Sequence, residues 1–216
     1  EWLMADQRKN EISKATDDHK YPIYIISAQG GGIKTAYHAG LTLSRLQDLY
    51  PDFANHVFAI SGVSGGSLGS SVFSSLVGAD SHSGQLETKA DKVLAHDLLS
   101  PLLAAGLFPD FVQRFIPLPL NFLDRARGLE YAFEQAWDQE VDKDKNPLRS
   151  SFYQHWKPKG TAPALVLNTT VVETGERLVL SPFKIDLPDL KDIRTVACKS
   201  EKDKKDIDFP LSTAAV

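Results

Sequence analysis

Ser64 stands in Gly62-Val63-Ser64-Gly65-Gly66, a G-x-S-x-G spacing that follows the apolar run "HVFAIS". A serine in that spacing has the chemistry of a nucleophile set on a sharp strand-to-helix turn. The turn pushes Oγ clear of the sheet, and side chains two positions to either side would collide in it. When such a serine attacks an ester carbonyl, backbone N–H groups must meet the oxyanion that forms. Losing one donor costs on the order of a hundred- to a thousand-fold in rate. About thirty residues earlier, Gly30-Gly31-Gly32 ends a second apolar run, "YPIYIISA". Three glycines in a row cost conformational entropy and mark a place where something must come close to the backbone. At the start of a helix they offer free N–H groups and the positive end of the helix dipole. The two stretches then form a matched pair: one presents the nucleophile and the other holds the charge it creates. A bare serine-glycine turn is the plain alternative for the second stretch taken alone.

Two other glycine chemistries fit less well. A phosphate loop, G-x-x-x-x-G-K-[ST], with Lys34 as its lysine would need glycines where the chain has Ala28 and Ile33. The dinucleotide fingerprint G-x-G-x-x-G matches at Gly30 and Gly32 but meets Thr35 at its third glycine. No acidic residue ends a second strand where a ribose would sit.

A strand before each glycine stretch and a helix after it must hold this chemistry in place. "YPIYIISA" (Tyr21 to Ala28) is a short β-rich run with Pro22 near its start, where a strand tolerates it. After the glycines, Ala36, Ala39, Leu43, Leu46 and Tyr50 recur at steps of three and four, one face of a helix that Pro51 closes. "HVFAIS" (His56 to Ser61) is a second buried strand, followed by a helix over Ser67 to Val77. Strand, glycine turn, helix, and the same again is the grammar of a parallel sheet covered by helices. "PALVLNTTVV" and "RLVLSP" add two strands, with "ETGE" between them as a hairpin turn. Residues 87–140 read as mostly helical, broken around "FIPLPLN". "GADSHSGQ", "DQEVDKDKNP" and "KSEKDKKDID" read as solvated loops, and residues 1–20 as a polar lead-in or short helix. No internal repeat is visible.

Composition narrows the partners. With 216 residues, 42% hydrophobic and 24% charged, the chain is long enough for one well-buried core. A net charge of -4 gives nucleic acid no electrostatic support. A single cysteine, Cys198, excludes an internal disulfide and a multi-cysteine metal site. Leu98 to Leu123 is the longest apolar candidate, but Asp110, Arg114 and four prolines interrupt it. A spanning helix needs roughly twenty largely apolar residues. The expected location is cytoplasmic or membrane-associated. The chain begins at Glu1 rather than methionine and reads as a piece of something longer, so an upstream anchor stays open.

The two motifs together resemble the patatin-like phospholipase family. The family pattern G-G-G-x-[KR]-G is met by Gly30-Gly31-Gly32-Ile33-Lys34-Thr35, and G-x-S-x-G by Gly62 to Gly66. "PALVLNTTVVETGERLVLS" resembles its core strands and "DFPLSTAAV" the helix entering its final catalytic segment. The resemblance covers residues 21–216. It implies an α/β fold with a mostly parallel central sheet and helices on both faces, in three layers. It also implies lipid acyl hydrolysis by a Ser–Asp dyad, with phospholipid or another lipid ester as substrate and no cofactor. Ser64 would be the nucleophile, and Gly30, Gly31 and Gly32 the oxyanion loop. Gly62, Gly65 and Gly66 would support the turn. Lys34 would orient the loop or meet a lipid phosphate, or be a solvated lysine at a helix start. The chain departs from the pattern twice. Thr35 replaces the last glycine of the first motif, and no Asp-Gly occurs anywhere, although the family's aspartate sits in an Asp-Gly-Gly or Asp-Gly-Ala turn. The base is therefore expected beyond Val216, and a catalytically inactive lipid-binding or scaffold module is the alternative.

Other residues are not promoted. His38 reads as a surface or packing residue of the first helix. A Ser-His-Asp arrangement would want a late histidine in a strand-end loop, and His82, His96 and His155 do not sit in one. Within the helical insertion at about 87–140, the clustered Leu, Phe and Pro of Leu98 to Leu123 suit a flap over an acyl groove. A helical segment packed on the core is the equal alternative. Peripheral contact is the form that bilayer binding would take.

Overall fold

The computed structural model of the chain describes residues 1–16, 19–79, 84–110, 115, 125–196 and 208–216. Its frame is a five-stranded sheet in the order β1 (Tyr24–Ala28), β2 (Val57–Val63), β3 (Ala164–Thr170), β4 (Arg177–Leu180), β5 (Lys191–Asp192). Three of the four pairings are parallel, and only β3 with β4, joined by the expected hairpin, is antiparallel. With its helices this is a three-layer α/β architecture, and it contains the parallel sheet covered by helices that the strand–glycine–helix grammar predicts.

Helices α1 (Asp6–Ser13), α2 (Gly32–Leu49), α3 (Phe53–His56) and α4 (Gly65–Ala79) belong to the first part of the chain. Then follow α5 (Leu86–Leu94), α6 (Leu99–Ala105) with a π-helical turn over Gly106–Asp110, α7 (Arg125–Glu140), α8 (Ile193–Val196) and α9 (Leu211–Ala215). α4 is central, buried from Gly65 to Val77, because its serines and glycines let the sheet and α2 approach closely. It starts two residues before the expected Ser67, since the N–H of Ser67 already bonds the Ser64 carbonyl at 2.8 Å.

The buried face of α2 is rotated from the apolar repeat in the sequence. Ala36 and Leu43 are inside as expected, but their companions are Gly40, Ser44 and Gln47, while Tyr50 lies past the helix end and is 62% exposed. Close approach decides this. Gly40 faces the backbone of Gly69 in α4, and Gln47 turns inward to accept from the N–H of Ala54 at 2.8 Å and to donate to the Pro51 carbonyl.

One core unites these elements. Ile60, Leu165 and Leu167 from the sheet share it with Val72, Phe73 and Leu76 of α4. Leu86, Val93, Phe133 and Trp137 from the helical region at about 87–140 belong to the same core. The polar lead-in is docked too. Arg8 is fully buried, donating to the carbonyls of Asn55 (2.9 Å), Trp2 (3.2 Å), Pro158 (3.3 Å) and Gly160 (2.8 Å). A guanidinium can satisfy several carbonyls at once, which makes its burial tolerable. Among the described residues no helix is long and apolar enough to cross a membrane.

Candidate active site

β1 and β2 run parallel with Ala28 opposite Gly62, so both strands hand the chain to a helix at the same edge of the sheet. The two glycine turns touch there. A Cβ built on Gly30 would stand 3.4 Å from the Val63 carbonyl oxygen and 3.5 Å from the Ser64 Cβ.

Ser64 has φ of 51°, the only positive φ at a non-glycine among the described residues. An L-residue held there costs on the order of 1–3 kcal/mol and persists only where the surroundings over-determine it. Here the Ser64 carbonyl accepts the first bonds of α4, from Ser67 N–H at 2.8 Å and Leu68 N–H at 3.3 Å, and Ser64 itself is exposed. Close approach dictates the flanking glycines. A Cβ on Gly65 would fall on the carbonyl oxygen of Gly32, one on Gly66 on that of Ala28, and one on Gly62 within 2.8 Å of the Ser67 Cα.

The chain enters α2 through Gly31 at φ 152° and Gly32 at φ 67°, both in the left-handed half of the map that glycine tolerates. Gly31 is the helix N-cap and has no side chain to cap with. The first-turn N–H groups of an α-helix have no partner inside it, so this end of α2 can receive an anion. Thr35, the departure from the family pattern, fits the turn: its hydroxyl donates to the Gly32 carbonyl at 2.9 Å, and its methyl occupies the space a Gly31 Cβ would need.

Ser64 opens on a cavity of 530 Å³. Ser67, the end of β3 from Leu167 to Thr170, Leu178 and Leu180 of β4, Ile193, Phe209 and Thr213–Val216 complete its wall. Among the described residues that line it there is no Asp, Glu or His. The far wall is tied down by α7: Ser212 donates to Glu134 at 2.6 Å and Thr213 to Glu130 at 3.1 Å, while Arg149 holds Glu134 at 3.0 Å and Asp138 at 2.6 Å.

Sequence reasoning missed Asn168. It lies opposite Val63 in the β2–β3 register, and its Nδ2 donates to Ser61 Oγ at 2.9 Å, to the Gly62 carbonyl at 3.1 Å and to the Val166 carbonyl at 3.2 Å. One amide thus pins the two residues that lead into the Ser64 turn. The only signal was an asparagine ending the apolar run "ALVL".

Lys34 belongs to a different surface. It is exposed in the first turn of α2 and lines a groove with Ile33, Tyr37 and Leu94–Leu99, not the Ser64 cavity. His38 is exposed on α2 and lines neither. His96 Nε2 pairs with Gln139 Oε1 at 3.1 Å. His155 is structural: Nδ1 faces the Phe152 carbonyl and Nε2 accepts from Leu165 N–H at 3.2 Å. Burial pushes its pKa down from 6.5 to about 4, against the opposing effect of the Phe152 bond, so the ring is neutral at pH 7. His82 and Cys198 lie outside the described residues, as does most of the proline-rich stretch at 111–124. Among the described residues no three His, Cys, Asp or Glu side chains converge as metal ligands. Compared against protein-family models, curated proteins and solved structures, the chain finds no match in any of the three.

Proposed function

We propose that the chain is a serine hydrolase of lipid carboxylic esters, of the phospholipase A or lysophospholipase type. The observation that carries this reading is the left-handed Ser64 in contact with the Gly30 turn. In the reaction, Ser64 Oγ attacks the acyl carbonyl carbon and its proton passes to a base. The N–H groups of Gly65 and of the Gly30–Gly32 turn hold the oxyanion. Collapse of the intermediate breaks the ester bond, and the alcohol leaves with a proton. Water then attacks the acyl-serine and releases the fatty acid. The base in this reading is the aspartate that the resemblance implies, expected beyond Val216; among the described residues the cavity wall carries no Asp, Glu or His side chain.

That same bare wall favours a second reading, an inactive lipid-binding module of the same fold. One experiment separates the two. In the full-length protein Ser64 is expected to react with a fluorophosphonate probe, and Ser64→Ala to abolish the reaction. Labelling that survives the substitution removes Ser64 as nucleophile, and wild-type protein that resists the probe favours the inactive module.

A further inference from the structure

α6 turns two of its three leucines, Leu99 and Leu103, outward, while Pro101, Leu102 and Ala105 are half-buried. Its inner face packs on α7 at Gly128, where an added Cβ would meet Ala105 Cβ at 2.8 Å and the Pro101 carbonyl at 3.0 Å. Its other face carries Leu99 and Leu103, and the π-helical turn that follows continues the step of four with Leu107, with Phe108 beside it. These are 50%, 60%, 67% and 70% exposed. No residue of α6 is fully buried. A helix on a water-facing surface shows the reverse pattern, and a contiguous apolar patch marks a contact surface.

The patch begins at the edge of the sheet that holds Ser64. Asp48, near the far end of α2, caps α5 by accepting from Leu86 N–H at 3.0 Å and Glu87 N–H at 2.9 Å. α5 then runs back along α2, with Tyr37 donating to Asp91 at 2.6 Å and Leu94 meeting Gly40. It ends at a 400 Å³ groove between Ile33, Lys34 and Tyr37 on one side and Ala95–Leu99 on the other. Leu99 is both the end of that groove and the first residue of the exposed stripe.

We propose that Leu99, Leu103, Leu107 and Phe108 form a membrane-docking surface that inserts shallowly into a zwitterionic bilayer and brings the Ser64 edge against it. The choice of a lipid partner rests on the lipid-ester reading. A second copy of the chain fits less well, because four side chains offer only a few hundred Å², against roughly 800 Å² per partner in a stable dimer. Charge steering is not the drive: the net charge is -4, and the groove is lined by one Lys and one Asp, Lys34 and Asp97. Insertion of apolar side chains therefore carries the binding, which is expected to be equal at low and high salt.

The test is flotation of the protein with pure phosphatidylcholine vesicles. The wild type is expected to float, and Leu103→Glu with Leu107→Glu to weaken partition by at least about a hundredfold, since each inserted leucine is worth on the order of tenfold or more. Leu49→Glu, at the opposite end of α2 and 60% exposed, is expected to float as wild type does. Flotation retained by the double variant, flotation lost in high salt, or a wild-type dimer in sedimentation that the double variant dissolves would each overturn the proposal. Ser64→Ala is expected to float normally, which separates the two claims. Flotation without probe labelling keeps the surface and removes the hydrolase, and labelling without flotation does the opposite.

Discussion

At the scale of single residues, the turn that carries the proposed nucleophile depends on a neighbour that holds the strand leading into it. Asn168 bonds Ser61 Oγ and the Gly62 carbonyl across the β2–β3 pairing, which in the proposed reaction makes it a positioning residue for Ser64. Replacing it with alanine leaves a half-buried carbonyl without its donor, a cost of about 1–3 kcal/mol, and frees the turn to drift. Misplacement of a reacting group by an ångström can cost roughly a hundredfold in rate. Asn168→Ala is therefore expected to slow fluorophosphonate labelling of Ser64 by about tenfold to a hundredfold while the fold survives. An unchanged labelling rate, with a lowered melting temperature alone, would make Asn168 a stability residue only. Asn168 was not legible in the sequence because its role exists only in the register that sets it opposite Val63. Ser64 and its glycines were legible for the opposite reason: their constraints are local, written as small residues at fixed offsets in a turn where a Cβ would strike backbone.

Among the elements, strands and helices around the site follow from short-range patterning, and the departures follow from contacts that patterning does not encode. The face of α2 turned because Ala36 and Gly40 are where Gly69 of α4 packs against it, and apolar periodicity is blind to a glycine contact. The exposed leucines of α6 were visible as composition, but nothing in a run of leucines tells which way they point. His155 is another cross-element tie, joining the turn at Phe152–Gln154 to the start of β3. Its pKa of about 4 in the folded chain lies below the 6.5 of an ordinary histidine. The unfolded chain therefore binds the extra proton first, and the ring's contribution to stability is complete above about pH 6.5 and lost as pH falls toward 4. Relative to pH 7, the wild type at pH 4.5 is expected to lose about 2–3 kcal/mol more than His155→Gln in denaturant titrations. Parallel pH curves for the two would show that the ring is not held neutral by its burial.

On the scale of the whole molecule, one sheet edge collects everything the proposed chemistry uses. β1 and β2 end there, α2 and α4 begin there, the 530 Å³ cavity opens beside Ser64, and the apolar face of α6 starts nearby. What makes the chain a candidate catalyst is the convergence of a strained serine and a bare helix start. The most direct measurement is the structure of the protein after reaction with a fluorophosphonate. The expected result is phosphorus bonded to Ser64 Oγ, with its phosphoryl oxygen about 2.7–3.1 Å from the backbone nitrogens of Gly65 and the Gly30–Gly32 turn. A phosphoryl oxygen turned to solvent with no backbone donor in reach, or phosphorus on any other residue, would contradict the account.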